Sequence, residues 1–85
     1  MTFELRLVSA NEDESGNLTL EFNDGVTMTM PRQQWVDEAR NDISTYWSAF
    51  TRGLVVEDYL RNGNVGVSAF VDTENNNGHW ALRYG

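Results

Sequence analysis

Apolar and polar residues alternate over five short stretches of this chain, and alternation with period two is typical of strands that bury one face. The stretches cover residues 3–7, 18–22, 26–30, 65–71 and 80–84. We expect a strand at each of them. The polar run from Ser9 to Asn17, and the run before the last stretch, have the composition and length of hairpin loops. The pattern therefore predicts a protein with about five strands.

A tight turn is predicted between the second and third stretches. They are joined by Asn23-Asp24-Gly25, and these residue types tolerate the positive φ that a hairpin turn requires. Three antiparallel strands are therefore expected to come first in the chain.

The interval from Pro31 to Gly53 has helical periodicity. Proline suits the first turn of a helix, and glycine suits the left-handed residue that ends one. At about 100° per residue, the apolar side chains fall on one third of the circumference, with polar residues such as Thr51 opposite. The apolar stripe consists of Trp35, Val36, Ala39, Ile43, Tyr46, Trp47, Phe50 and Leu54. We expect one continuous helix; a break at Asn41-Asp42 is the alternative, because Asn and Asp compete for backbone donors.

A short second helix is predicted after Gly53. Val55, Val56, Tyr59 and Leu60 recur at helical spacing and precede Asn62-Gly63, where glycine provides a stop signal. The order along the chain is then β-β-β-α-(α)-β-β.

These elements predict an α+β fold with two layers, in a single domain spanning residues 1–85. An antiparallel sheet of about five strands would be covered on one face by the amphipathic helix. The uncovered face would be mostly polar, with Phe70 as its one large apolar residue. We expect it to display Glu4, Arg6, Thr19, Glu21, Thr27, Thr29, Ser68, Phe70, His79 and Arg83.

The residue inventory argues against most kinds of active site. The chain has no Cys, no Lys and one His, whereas covalent catalysis and zinc binding draw mainly on these residue types. His79 has no accompanying nucleophile motif, and the acidic run from Asp72 to Gly78 lacks the glycine position and terminal Glu of an EF-hand. We therefore expect a binding protein rather than an enzyme, with no cofactor and no bound metal.

Net charge narrows the choice of partner. Thirteen Asp and Glu face six Arg, which gives a formal charge of −7 and a pI near 4.4. Such a protein is poorly suited to bind nucleic acid or an anionic membrane directly, because both are recognised through clustered cations. Neither a signal-type N-terminus nor an apolar run of membrane-spanning length is present. We expect a soluble, cytoplasmic protein whose partner is a protein with a basic surface.

The first functional hypothesis is that carboxylates mimic phosphates. The module would occupy the basic groove of a nucleic-acid-handling protein and act as its inhibitor or regulator. Accessory proteins of phages and mobile elements, some of them nuclease inhibitors, offer an analogy in size and charge only. The residues available for such a surface are Glu12, Asp13, Glu14, Asp37, Asp42, Glu57, Asp58, Asp72 and Glu74.

The alternative hypothesis belongs to a different class. A small molecule or a peptide would bind the uncovered sheet face, with Phe70, His79 and Arg83 at the contact. In this hypothesis the protein can also be a homodimer. A third alternative is a fold whose function cannot be inferred from its residues. The dependence of affinity on salt concentration distinguishes the first two hypotheses. Binding by phosphate mimicry weakens as ionic strength rises, whereas binding through an apolar contact hardly responds.

Overall fold

Five antiparallel strands form one sheet in the computed structural model, which describes residues 2–41, 47–74 and 79–84. The spatial order of the strands is β3-β2-β1-β4-β5. Two helices stand between β3 and β4 in the chain. The predicted two-layer α+β fold and its order β-β-β-α-α-β-β are thus confirmed. The elements are β1 (Thr2–Glu12), β2 (Asn17–Phe22), β3 (Thr27–Pro31), α1 (Arg32–Asn41), α2 (Trp47–Asn62), β4 (Ser68–Asp72) and β5 (His79–Arg83).

The long strand β1 lies at the centre of the sheet. Residues 2–6 pair with β4, and residues 7–12 pair with β2. The register shifts between Leu7 and Ser9, the mark of a β-bulge, which places one extra residue in a strand and bends it. As a result, Leu7 and Ala10 both contact the core although they stand three positions apart. β1 is longer than predicted: residues 9–12, expected in a loop, pair with β2 instead.

The turn between β2 and β3 forms as predicted. Gly25 has a φ of 88°, and the Phe22 N–H donates to the Val26 carbonyl over 2.9 Å. β3 is an edge strand, and it leaves Met28 40% exposed.

The preferred prediction of one continuous helix is wrong, whereas the alternative of a break at Asn41-Asp42 agrees with the structure, in which α1 ends at Asn41. A Cβ built on Gly53 would lie 3.9 Å from the main-chain oxygen of Ala39, whereas one straight helix would separate these residues by about 21 Å along its axis. The chain therefore forms two helices that pack against each other. Residues 42–46, which include Ile43 and Tyr46 of the expected stripe, lie outside the described residues.

Helix α2 does not end at Gly53. It continues to Asn62, and Gly63, with a φ of 72°, donates its N–H to the Tyr59 carbonyl over 2.8 Å. This is the left-handed cap predicted for the second helix. Because α2 has its own orientation, Thr51 is 2% exposed rather than solvated as predicted.

The core lies between the sheet and the two helices. Trp35 of α1 is 3% exposed, and its indole N–H donates to the Leu18 carbonyl over 2.8 Å. Val65, predicted to start the fourth strand, instead precedes it and is 49% exposed. The buried cluster consists of Leu5, Leu7, Leu18, Leu20, Phe22, Trp35, Val55, Val56 and Ala69.

Replacing Gly53 with alanine is expected to stabilise the protein by about 0.5–1 kcal/mol, because glycine is unfavourable inside a helix. The added Cβ would be in ordinary contact at 3.9 Å, so the helix packing does not oppose it. The matched control is Gly63→Ala, which should destabilise by about 1–2 kcal/mol because its φ is positive. Urea unfolding measures both changes. A loss of stability in Gly53→Ala would mean that the helices need a closer approach at this point.

Candidate functional site

Three of the predicted carboxylates lie together at one end of the sheet. Glu12 ends β1, and Asp13 and Glu14 follow it in the β1–β2 hairpin loop; all three are exposed. Arg32, at the start of α1, lies 3.5 Å from the Glu12 carboxylate. We call Glu12, Asp13 and Glu14 the acidic tip.

The acidic tip has a fixed backbone conformation. The N–H groups of Asn17 and Ser15 each donate to Asp13 Oδ1 over 2.9 Å. These bonds, above all the one from Asn17, lower the pKa of Asp13 against an opposing effect of desolvation. Asp13 is therefore charged at neutral pH and holds the loop, and the neighbouring Glu14 is exposed.

Other carboxylates of the predicted set lie away from the acidic tip, and of these Asp37 and Glu74 are exposed whereas Asp72 is half-buried. Thr2 pairs with Asp72, which places Asp72 and the following Glu74 at the opposite end of β1 from the acidic tip. Ten residue steps of about 3.3 Å set an upper limit of about 33 Å on the separation of the two ends, because the bulge bends β1. Asp37 is exposed on α1 and accepts a bond from Gln33 over 3.2 Å. Asp42 lies outside the described residues.

Asp58 does not belong to any exposed acidic surface. Its side chain is 5% exposed, although sequence reasoning placed it among the solvent-facing carboxylates. Helix α2 directs it toward the strand that ends the sheet, where Tyr84 covers it. Its neighbour Glu57 is half-buried and forms an ion pair with Arg61, one turn later, over 2.8 Å.

A groove of about 260 Å³ lies between α2 and the edge strand β5. Helix α2 packs mainly on β1 and β4, so the side chains that β5 directs toward the helices are only partly covered. Trp80 is 48% exposed and Tyr84, just after the strand, is 54% exposed. Sequence reasoning placed both on the covered side but did not identify a site. The groove is lined by Leu54, Glu57, Asp58, Arg61, Asn62, Trp80, Leu82 and Tyr84.

Asp58 is the one buried carboxylate that lines this groove among the residues the structure describes. Its Oδ1 atom accepts two hydrogen bonds, from the Tyr84 hydroxyl over 2.7 Å and from Asn62 Nδ2 over 3.0 Å. Its Oδ2 atom is shielded from solvent and has no hydrogen-bond partner among the described residues. The bond to Asp58, with smaller effects of burial and of the carboxylate charge, raises the pKa of Tyr84. The hydroxyl therefore remains a donor at neutral pH.

The residues of the alternative hypothesis share the uncovered face of the sheet. Ser68 pairs with Arg83, and Asp72 pairs with His79, across β4 and β5. Phe70 is half-buried, and the guanidinium carbon of Arg83 lies 4.9 Å from the centre of its ring. The structure thus brings Phe70 and Arg83 into contact. It places His79 at the opposite end of β5 from Arg83.

The described part of the chain lacks two kinds of feature, a metal-binding cluster and a membrane-spanning helix. It contains no group of three His, Asp or Glu side chains placed to hold an ion. It also contains no helix with the length and apolar character needed to cross a bilayer.

Comparisons with known proteins return no relative for this chain. No family model matches it, and neither a curated protein nor a solved structure matches it.

Proposed function

We propose that this protein is a small acidic binding module whose partner is a protein with a basic surface. The observation that supports this proposal best is the excess of exposed negative charge. Among the residues whose side chains are described, nine carboxylates but only four arginines are exposed. The exposed carboxylates are Glu4, Glu12, Asp13, Glu14, Glu21, Asp24, Asp37, Glu38 and Glu74. Such a field attracts cationic surfaces and speeds encounter with them.

The specific partner that we propose is a nucleic-acid-handling protein, which the module inhibits or regulates by presenting carboxylates in place of phosphates. Acidic groups lie at both ends of β1 on a molecule 43 Å long. Their separation, at most about 33 Å along β1, does not exceed one turn of B-DNA, about 34–36 Å. A protein of this kind would work where nucleic acid is handled, so a cytoplasmic location is part of the proposal.

The test uses nucleic-acid-binding proteins held on immobilised DNA and challenged with this chain. We expect the chain to displace at least one of them, with an affinity that falls about tenfold or more from 50 to 300 mM salt, because ionic screening shortens the range of charge attraction. The double variant Glu12→Gln/Glu14→Gln should bind several-fold more weakly. The matched control is Glu4→Gln/Glu21→Gln, which removes the same number of charges from exposed positions outside the acidic tip.

Two outcomes would count against phosphate mimicry. One is that no DNA-bound protein is displaced even at low salt. The other is displacement that responds neither to salt nor to the variants of the acidic tip, because binding would then not depend on those carboxylates.

A second candidate is binding of a peptide or small molecule to the uncovered sheet face. The stacking of Arg83 on Phe70 favours it, because the pair offers an aromatic and cationic contact on an otherwise polar surface. The same experiment distinguishes it: binding would hardly respond to salt and would be lost in Phe70→Asp, while the acidic-tip variants would bind normally.

A further inference from the structure

We infer that the groove between α2 and β5 binds an arginine side chain of the partner, with Asp58 as its counter-charge and Trp80 and Tyr84 as its aromatic walls. This inference rests on the proposed function, because it names the group on the basic partner that the module recognises. It concerns a site separate from the acidic tip, so each can be tested without the other.

The buried carboxylate carries the inference. Asp58 is 5% exposed, and water is therefore largely replaced by protein around a group that strongly favours hydration. Two donors serve Oδ1, whereas Oδ2 has none among the described residues. Folded proteins leave few buried polar atoms without a partner, and those that remain call for an explanation. A cationic donor entering the groove would supply the missing bond.

The size of the groove limits its occupant. Small-molecule pockets usually enclose about 300–1,000 Å³, whereas this groove encloses about 260 Å³. A single long side chain fits such a space better than a drug-sized ligand. Leu54 and Leu82 in its lining provide apolar surface for the methylene stem of that side chain.

The walls favour arginine over lysine. Trp80 and Tyr84 are both about half exposed and line the groove. A guanidinium group is planar and weakly hydrated, so it can stack on an aromatic ring while its edge donates hydrogen bonds to a carboxylate. An ammonium group is strongly hydrated and cannot stack. Arg61 at the rim already pairs with Glu57, so the buried Asp58 charge is left for the ligand.

Tyr84 serves as the cover of the site. Its hydroxyl holds Asp58 Oδ1 over 2.7 Å, and its ring is 54% exposed. Rotation of this side chain would uncover the carboxylate, and a guanidinium could then donate to both oxygens in the bidentate arrangement that arginine favours. The ligand therefore competes with the Tyr84 hydroxyl, so removing the hydroxyl should tighten binding.

The experiment is an NMR titration of the ¹⁵N-labelled chain with acetyl-Gly-Gly-Arg-Gly-Gly-amide, following the backbone amide signals of the groove residues Leu54 and Leu82, which every variant below retains. We expect a saturable shift, and at least about tenfold weaker binding of the same peptide with citrulline, the uncharged analogue of arginine. Asp58→Asn and Trp80→Ala should each weaken binding about tenfold. Tyr84→Phe, which keeps the ring and removes the competing bond, should strengthen it about threefold.

Glu4→Gln is the matched control, because it converts an exposed carboxylate of β1 to an amide outside the groove and outside the predicted partner-binding set; it should bind the arginine peptide like the parent. If Asp58→Asn does not fold, Trp80→Ala and Tyr84→Phe still decide the matter, since both positions are about half exposed. No shift at millimolar arginine peptide, or equal affinity for the citrulline peptide, would overturn the site. Equal affinity for a lysine peptide would overturn the choice of arginine. None of these outcomes changes the result of the salt and acidic-tip experiments, which test the proposed function separately.

Discussion

Replacing Trp35 with alanine is expected to remove about 3–5 kcal/mol of folding stability, the usual cost of truncating a large buried aromatic residue. Trp35 is 3% exposed and belongs to the buried cluster between α1 and the sheet. Its indole N–H also donates to the Leu18 carbonyl of β2 over 2.8 Å. Small proteins are stable by only about 5–15 kcal/mol, so this one substitution should remove a large share of the total.

Urea unfolding followed by far-ultraviolet circular dichroism measures the loss. Trp35→Phe keeps an aromatic ring but not the hydrogen bond, and it should cost less than the alanine variant. Trp80→Ala is the matched control, because Trp80 is 48% exposed; its cost should stay within about 1 kcal/mol. A Trp35→Ala protein as stable as the Trp80→Ala protein would show that α1 is not anchored by this side chain.

Replacing Asp58 with leucine is expected to raise stability by about 1–3 kcal/mol, the usual cost of an unsatisfied buried polar group. The parent protein buries a carboxylate with one unpartnered oxygen, and an apolar side chain in its place would avoid that cost. Its two donors, Asn62 and Tyr84, are exposed residues. They can therefore bond to water when the carboxylate is removed. A residue kept for binding at the expense of stability is typical of functional sites.

The urea midpoint of Asp58→Leu, compared with that of the parent, measures this effect. The arginine-peptide titration is repeated on the same variant to measure binding. We expect Asp58→Leu to be more stable than the parent and not to bind the peptide. Asp37→Leu on the exposed surface of α1 controls for adding a leucine, and we expect it to change stability by less than about 0.5 kcal/mol. A loss of stability in Asp58→Leu would instead mean that the bonds to Oδ1 hold α2 to the end of β5.

The strands could be predicted because period two places side chains on alternate faces wherever a strand forms. Leu5, Leu18 and Leu20 are buried, and Phe70 lies on the opposite, uncovered face, as their alternation predicts. The predicted extent of β1 was wrong for a local reason. A β-bulge after Leu7 and polar residues up to Glu12 carry the strand beyond the alternating segment.

The helices were harder to predict because an apolar stripe has the same spacing in one long helix and in two packed helices. Gly53 was interpreted as a helix end, and the structure shows that it faces Ala39 of the other helix instead. Glycine is common both at the end of a helix and where two helices lie close together. Only the position of α1 against α2 shows which of these two roles Gly53 has. Thr51 was likewise predicted on the wrong side of its helix, because the orientation of α2 on the sheet buries it.

The sequence by itself determined the fold class, the sidedness of the strands and the excess of negative charge, because these follow from local periodicity and from residue counts. Only the tertiary structure decided where the charges lie and which of them is buried. Asp58 and Tyr84 stand 26 positions apart, and no local pattern relates a helix residue to the end of an edge strand. Their meeting depends on α2 packing over β1 and β4 and leaving β5 partly uncovered. That packing is set by the shape of the whole core, which local sequence patterns do not encode.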